Sequence, residues 1–313
     1  MVELDMDLEA AVVLRDVKAD IAVTVEREPR AMSKYHGRNG NMSSKCLIVG
    51  INDYGGECDL HGCVNDAKDV ANTLSVIHVA PPSAKSIRIR TDARATKKNI
   101  LSDLRWLIRD VRPGDTRIFW YSGHGSYVLD TSGDEGDKKD ECLVPHDYDS
   151  AGMITDDEIQ DAIQGFPTGA TLEIFLDSCF SGTATRSITP TYTRPSLRIR
   201  FMPPPFDEEF FGDNPHTETR WPIFSRQTIM IPTLNHILWA GCRDNQTSAE
   251  DEIEGDPRGV FTYHLCKILR KSSGIITRKQ LSTQIARDVK SMGYEQIPVL
   301  EANKGKIKGQ VFR

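Results

Sequence analysis

A mostly parallel α/β sheet covered by helices on both faces is the fold this sequence predicts, and three observations predict it. Apolar runs of strand length recur without polar alternation: CLIVGI (46–51), TRIFWYS (116–122) and LEIFLD (172–177). Such runs suit strands buried on both faces. Segments with apolar residues at helical spacing separate them, which is the pattern of parallel strands joined by crossover helices. Two of the runs then break into small and polar residues, SGHG after the second and DSCFSG at the end of the third. In open α/β sheets that carboxyl edge is where ligands bind. A chain of 313 residues, 39% of them hydrophobic, can bury a sizeable core, and one large domain is expected.

In chain order, residues 1–44 read as a leader, with weak alternation at DIAVTV (20–25) and a polar, glycine-bearing linker at 33–44. The domain is expected at 45–313. The sheet starts at CLIVGI and turns at Gly55 and Gly56. Val64, Ala67, Val70, Ala71 and Leu74 mark a helix with Asn65 and Asp66 near its start. A short strand at 86–90 precedes a helix at 96–110, with Ile100, Leu104, Leu107 and Ile108 inward and Pro113 and Gly114 stopping it. After TRIFWYS come an acidic loop (130–141), a brief strand (142–144), a helix (156–164) capped by Thr155, and the strand that ends at Cys179. From 183 to 230 no period is sustained and three prolines stand together at Pro203, Pro204 and Pro205. A loop of that length inside a compact domain is usually functional or disordered. HILWAG (236–241) restarts the sheet, and helices follow at 260–269 and 277–292.

The net charge of −6 gives no electrostatic footprint for nucleic acid, and no apolar run is long enough to span a membrane. Seven cysteines, odd in number and without a CxxC pair, and a start lacking the regions of a signal peptide, lead us to expect a reducing cytoplasm. Most of these cysteines read as small buried hydrophobes.

Two side chains stand apart, His124 and Cys179, each at the end of an apolar strand. Alone, either reads as a core residue. Together they read as base and nucleophile, provided the strands are neighbours. A thiol attacks as its thiolate, so Cys179 needs a cationic or hydrogen-bonding neighbour, which His124 supplies before protonating the leaving amine. Cys179 is accordingly expected to be presented at the edge rather than packed. The attacked carbonyl needs backbone donors, and the amides of Gly125 and Cys179 are the candidates, the glycine admitting close approach.

The segments CLIVGINDY, GCVNDAKDV, FWYSGHGS, ECLVPHDY, ITDDEI, FLDSCFSG, WAGCRDNQTSAE and GVFTYHL, in this order, resemble a metacaspase, a member of the caspase-like cysteine peptidases. The resemblance spans residues 46 to about 300. It implies the caspase-like fold, a His124–Cys179 dyad, and cleavage after Arg or Lys through an acidic pocket matched here by Asp66 and Asp177, with Cys63 and Ser122 beside them. A guanidinium prefers planar carboxylate partners, which agrees. The resemblance also matches Asp140, Asp156 and Asp157 to calcium ligands of calcium-activated members, but Arg186 replaces a further aspartate, removing an oxygen ligand and adding a positive charge. No cofactor is required on this reading, and calcium binding stays an open alternative to a solvated acidic loop.

The loop from 183 to 230 carries Arg186, Arg194, Arg198, Arg200, Arg220 and Arg226. If the pocket takes arginine, these are sites for self-processing or for an activating protease; a solvated linker is the other reading. The expectation is a cytoplasmic, monomeric cysteine endopeptidase acting on proteins or peptides, without nucleic-acid or membrane partners. The alternative is a caspase-fold binding or regulatory protein without hydrolysis.

Overall fold

In chain order the elements are β1 (Ser44–Gly50), α1 (Cys63–Val76), β2 (Ile87–Thr91), α2 (Lys97–Ile108), β3 (Thr116–Ser122), β4 (Gly125–Leu129), β5 (Lys139–Leu143), α3 (Tyr148–Ala151), β6 (Ile154–Thr155), α4 (Asp156–Ala162), β7 (Thr171–Asp177), β8 (Arg198–Ile199), β9 (Ile237–Ala240), β10 (Ala249–Ile253), β11 (Asp256–Gly259), α5 (Val260–Lys271), α6 (Arg278–Ser291), β12 (Val299–Glu301) and α7 (Lys304–Ile307). This computed structural model describes residues 43–129, 139–180, 195–203, 236–243 and 246–313, with backbone alone at 129, 139 and 140. The leader strand expected at 20–25 lies outside the described residues.

Six strands form the central sheet in the order β12-β9-β7-β3-β1-β2. All neighbours are parallel except the edge strand β12, which runs antiparallel to β9. This is the caspase-like α/β fold that the sequence predicts. The apolar strands bury both faces because their alternate residues enter different cores. Cys46, Ile48, Ile118, Trp120 and Phe175 pack with α1, α5 and α6; Leu47, Val49, Phe119, Tyr121, Ile174 and Leu176 pack with α2 and α4. Register sets Trp120 beside Phe175 and Phe175 beside Trp239, and the three rings stack at centroid distances of 4.5 and 5.6 Å. Each such pair adds about 0.5–1.5 kcal/mol beyond area burial.

Helix starts follow local chemistry. Thr96 Oγ1 accepts from Asn99 N–H to cap α2, and Thr155 with Glu158 closes a capping box on α4. The predicted strand at 142–144 starts earlier, at Lys139, because antiparallel pairing with β4 extends it backwards. Two small sheets flank the core, β4-β5-β6 and β11-β10-β8. In the second, β10 and β11 turn through Glu254 and Gly255, both at positive φ, the tight primed turn of a two-residue hairpin. Its third strand, β8, lies inside the stretch expected to be patternless. Its two residues are held by pairing with β10 rather than by local propensity.

Candidate active site

β3 and β7 are adjacent and parallel, with Ser122 in register with Asp177. The two strand ends therefore deliver SGHG and DSCF side by side. The backbone of His124 is pinned from both sides: its N–H donates to the Tyr54 hydroxyl at 2.9 Å, and its carbonyl accepts from the Tyr121 hydroxyl at 2.7 Å. The imidazole lies against the Tyr54 ring at 4.6 Å. Its Nε2 is 2.6 Å from the Cys58 carbonyl oxygen. A carbonyl only accepts, so Nε2 carries the proton and Nδ1 holds the free lone pair. Nδ1 is buried and has no hydrogen-bond partner among the described residues. Burial pushes the imidazole below its ordinary range, the Cys58 carbonyl opposing, so it stands neutral near pH 7.

Cys179 differs from expectation in one respect. It is fully buried, because the segment at 198–202 crosses over it. The Sγ atom is not hydrogen-bonded to His124; it sits 2.7 Å from the Ser248 N–H and 3.1 Å from the Ser248 carbonyl oxygen. The Cys179 and Gly125 amides both donate to the carbonyl oxygen of Arg200, at 3.1 and 3.0 Å. Two N–H donors converging on one carbonyl can stabilise the oxyanion of a tetrahedral adduct. Gly125 has to be glycine, since a Cβ there would lie 2.2 Å from the Cys179 carbonyl oxygen.

The acidic side chains meet around the Arg200 guanidinium. Nη2 donates to Asp66 Oδ2 at 2.7 Å and to Glu250 Oε2 at 3.3 Å; Nη1 reaches Ser122 Oγ at 2.7 Å and Asp177 Oδ2 at 3.1 Å. All are buried. Each acid is also oriented from behind. Asp66 Oδ1 accepts from Gly259 N–H at 2.9 Å. Asp177 accepts from the Ser248 hydroxyl at 2.6 Å and from the Thr262 hydroxyl and N–H at 2.7 and 3.1 Å. Glu250 accepts from His61 and Gly62 N–H, the unsatisfied amides at the start of α1, where the helix dipole favours a negative charge. Burial pushes the Asp66 carboxyl up to about 6; the Arg200 guanidinium opposes this and Asp177 adds to it. Burial alone would lower Arg200, but Asp177, Asp66 and Glu250 outweigh it and hold the guanidinium charged. Cys63 stands at the pocket wall with Sγ 3.8 Å from Glu250 Oε2, its thiol pushed up by burial.

A family model described as metacaspase, peptidase C14 domain, matches residues 44–187. Metacaspase-1 of Ajellomyces capsulatus is 29% identical over 296 residues, covering 83% of this chain and 79% of that protein. Metacaspase-1 of Schizosaccharomyces pombe is 30% identical over 293 residues, covering 83% of this chain and 67% of that protein. The chain belongs to the metacaspases. A crystal structure of a Geobacter sulfurreducens protein superimposes with a TM-score of 0.60 at 22% identity, covering 86% of this chain and 98% of that one, a likeness of fold. This metacaspase is thus a cysteine peptidase of the C14 type.

The structure brings His124, Cys179, Gly125, Asp66, Asp177, Cys63 and Ser122 to one site. Asp156 and Asp157 lie elsewhere, in the first turn of α4. The β5–β6 register pairs Cys142 with Thr155 and so directs the backbone at Asp140 toward that turn; its side chain, Arg186 and most of the acidic loop lie outside the described residues. Among the described residues no three His, Cys, Asp or Glu side chains are grouped to hold a metal ion. Sequence reasoning missed Glu250, Ser248 and Thr262 on the pocket side, and Tyr54, Tyr121 and Cys58 around His124. Most of the signal was present: Ser248 and Glu250 end the segment WAGCRDNQTSAE, and Tyr54 ends CLIVGINDY.

Proposed function

We propose that this metacaspase is an endopeptidase that cleaves after arginine, and less readily after lysine, by a Cys179–His124 dyad through an acyl-enzyme. The observation that carries the reading is the Arg200 guanidinium buried among Asp66, Asp177, Glu250 and Ser122. An arginine side chain in this cleft has a partner for both terminal nitrogens, and the planar fork is what several fixed acceptors recognise. A lysine would bring one compact charge to the same acids.

His124 Nδ1, neutral and unpartnered, takes the thiol proton once Cys179 turns from the Ser248 backbone. The thiolate attacks the carbonyl carbon, and the Gly125 and Cys179 amides hold the oxyanion. Collapse breaks the C–N bond as His124 returns the proton to the leaving amine. Water, deprotonated by His124, then releases the acid product and the thiol. No step uses a metal, and Arg186 in place of a carboxylate supports activity that is indifferent to chelators. We further infer a monomer in a reducing cytoplasm; six of the seven cysteines are buried and no disulfide joins any of them among the described residues.

The test is hydrolysis of matched fluorogenic peptides ending in Arg, Lys or Asp, with calcium and with chelator, by wild type and Cys179→Ala. Cleavage after Arg exceeding Lys, none after Asp, and none by the variant is the expected result. Cleavage after Asp would overturn the pocket assignment, and stoichiometric silence toward a peptidyl electrophile would favour a non-catalytic protein.

A further inference from the structure

β4 begins at Gly125, whose amide faces the attacked carbonyl, and runs on from there as the outer strand of the small sheet β4-β5-β6. Its outer edge holds main chain. Gly125 N–H donates to the Arg200 carbonyl at 3.0 Å, and the Gly125 carbonyl accepts from Met202 N–H at 3.0 Å, which sets Phe201 opposite Gly125 as one parallel pair. Side chains along a strand alternate between its faces, so Gly125 and Tyr127 share a face with Phe201, while Ser126 and Val128 share the other with Met202. The contacts follow that parity. The Phe201 ring stacks on Tyr127 at 6.3 Å, with the planes 26° apart, and both rings stay half-buried. Met202 turns the other way, is buried, and joins the apolar cluster of Cys142, Leu143 and Ile154, against which Val128 packs. Because Arg200 fills the acidic pocket and its carbonyl oxygen takes both oxyanion donors, the two residues after it lie where the leaving half of a bound peptide lies. That placement holds for any peptide whose arginine sits as Arg200 does.

We propose that β4 is the leaving-group side of the substrate cleft and carries two subsites: Tyr127 takes an aromatic side chain directly after the cleaved arginine, and the cluster against Val128 takes an apolar side chain one residue later. The proposal rests on the arginine reading above and adds the other half of the substrate. The two subsites select with different force. The first is half open, so its preference is the modest gain of one stacked aromatic pair. The second is closed, so a carboxylate there loses hydration and finds no cation, which nearly excludes it. The main chain adds a third rule, because the residue in the second subsite must donate its N–H to the Gly125 carbonyl, and proline has none. All three preferences belong to acylation. The residues after the cut bond depart with the amine, and peptides that share an arginine half form one and the same acyl-enzyme, whose hydrolysis is common to them all.

The test uses internally quenched peptides with one common half ending in Arg, followed by Phe-Met, Ala-Met, Phe-Glu or Phe-Pro, and the full chain as wild type, Tyr127→Phe and Tyr127→Ala. Product masses fix the bond cut. In the wild type kcat/KM for Phe-Met should exceed that for Ala-Met by about 3- to 10-fold, the range one stacked pair supplies. It should exceed that for Phe-Glu by roughly a hundredfold and that for Phe-Pro by about 10-fold. Tyr127→Phe should keep the Phe-over-Ala ratio and Tyr127→Ala should bring it near one, while the Met-over-Glu ratio, set on the opposite face of β4, holds in both. Each readout is a ratio within one protein, so partial loss of folded enzyme cancels, and the wild-type ranking decides by itself if the alanine variant is inactive. Rates that differ less than twofold across the four leaving halves, or a Phe-over-Ala ratio that survives in Tyr127→Ala, would overturn the subsites while cleavage after arginine stands. If no arginine peptide is cut, both readings fall.

Discussion

Replacing Asp66 with asparagine tests the pocket most directly, since the side chain keeps its shape and loses its charge. Both carboxylate oxygens accept from donors: Oδ2 from Ser122 Oγ and Arg200 Nη2, Oδ1 from Gly259 N–H. Any orientation of an asparagine amide sets its NH2 group against one of those donors. At 2.7 Å the Arg200–Asp66 attraction is about 6 kcal/mol at an effective dielectric near 20. Much of that is offset by desolvation, and removing one partner of a buried pair costs about 3–5 kcal/mol. We therefore expect kcat/KM for arginine peptides to fall about 10²- to 10³-fold. Stability should respond differently. The Asp66 carboxyl rises from an ordinary 3.8 to about 6, so the folded protein holds this proton more tightly than the unfolded chain. That contribution is full below about pH 4 and is lost as pH rises through 6, leaving the ionised form as a cost of about 3 kcal/mol at pH 7. In the intact chain the loss of one of Arg200's buried carboxylate partners opposes this gain, so the Tm of the variant at pH 7 should stay close to that of the wild type. The wild-type acid limb of kcat/KM should lie at or above pH 6, because an empty pocket lacks the guanidinium that lowers Asp66, and the Asp66 contribution to that limb should be missing from the variant. The assays are peptide hydrolysis from pH 5 to 8, thermal melting, and the rate of Cys179 alkylation by iodoacetamide as a control for the nucleophile. An arginine kcat/KM within threefold of wild type with unchanged alkylation would refute the electrostatic account.

Gly259→Ala should block the pocket without touching the dyad: the new methyl would lie 2.3 Å from Asp177 Oδ2 and 2.6 Å from Arg200 Nη1. Loss of roughly a hundredfold or more in arginine cleavage, with Cys179 alkylation kept, is the expected outcome. Tyr54→Phe leaves the buried His124 N–H without its acceptor, at about 1–3 kcal/mol; kcat should drop about 10- to 100-fold with KM little changed. At the far end of β7, Arg278→Met strands Glu173, which the guanidinium contacts at 2.6 Å and which also accepts from Trp239 Nε1 and Phe312 N–H. A loss of about 3–5 kcal/mol, or roughly 6–15 °C in Tm, should appear in melting curves with arginine specificity intact.

The central sheet was legible because its strands are defined by local pattern. CLIVGI, TRIFWYS and LEIFLD are apolar on both parities, and their shortness, β-branched and aromatic residues and flanking breakers suit a doubly covered strand rather than a buried helix. The cap at Thr155 was legible for the same reason: the chemistry of a helix start is local. Glu250 was not. AEDEI at β10 reads as an exposed edge, and its first glutamate is buried only because α1 begins opposite it and offers two amides. Arg200 was harder still. Its stretch has no period and its strand is two residues long, so its placement depends on partners at Gly125, Cys179, Ser248 and the acids, all distant in sequence. Six arginines in that loop look alike in composition; register against β10 separates the two that are described, Arg198 and Arg200.

That register also answers an electrostatic problem that the pocket sets for the fold. Asp66, Asp177 and Glu250 are at most 1% exposed and close together, and carboxylates so placed repel one another and forgo hydration. Thr262, Ser248, Gly259 and the start of α1 supply neutral donors, but hydrogen bonds do not cancel charge. A cation does. In the intact chain Arg200 is that cation, so the segment that blocks the cleft is also what makes its acids tolerable. On the proposed reading, withdrawal of Arg200 from the cleft restores the electrostatic cost, and the emptied pocket recovers it by taking a substrate arginine. The attraction for substrate and the strain in the empty enzyme are then one quantity. Any change that relieves the strain, as at Asp66, should weaken arginine binding by the same interaction, and this coupling is what joint measurement of Tm and kcat/KM in Asp66→Asn, Asp177→Asn and Glu250→Gln would expose.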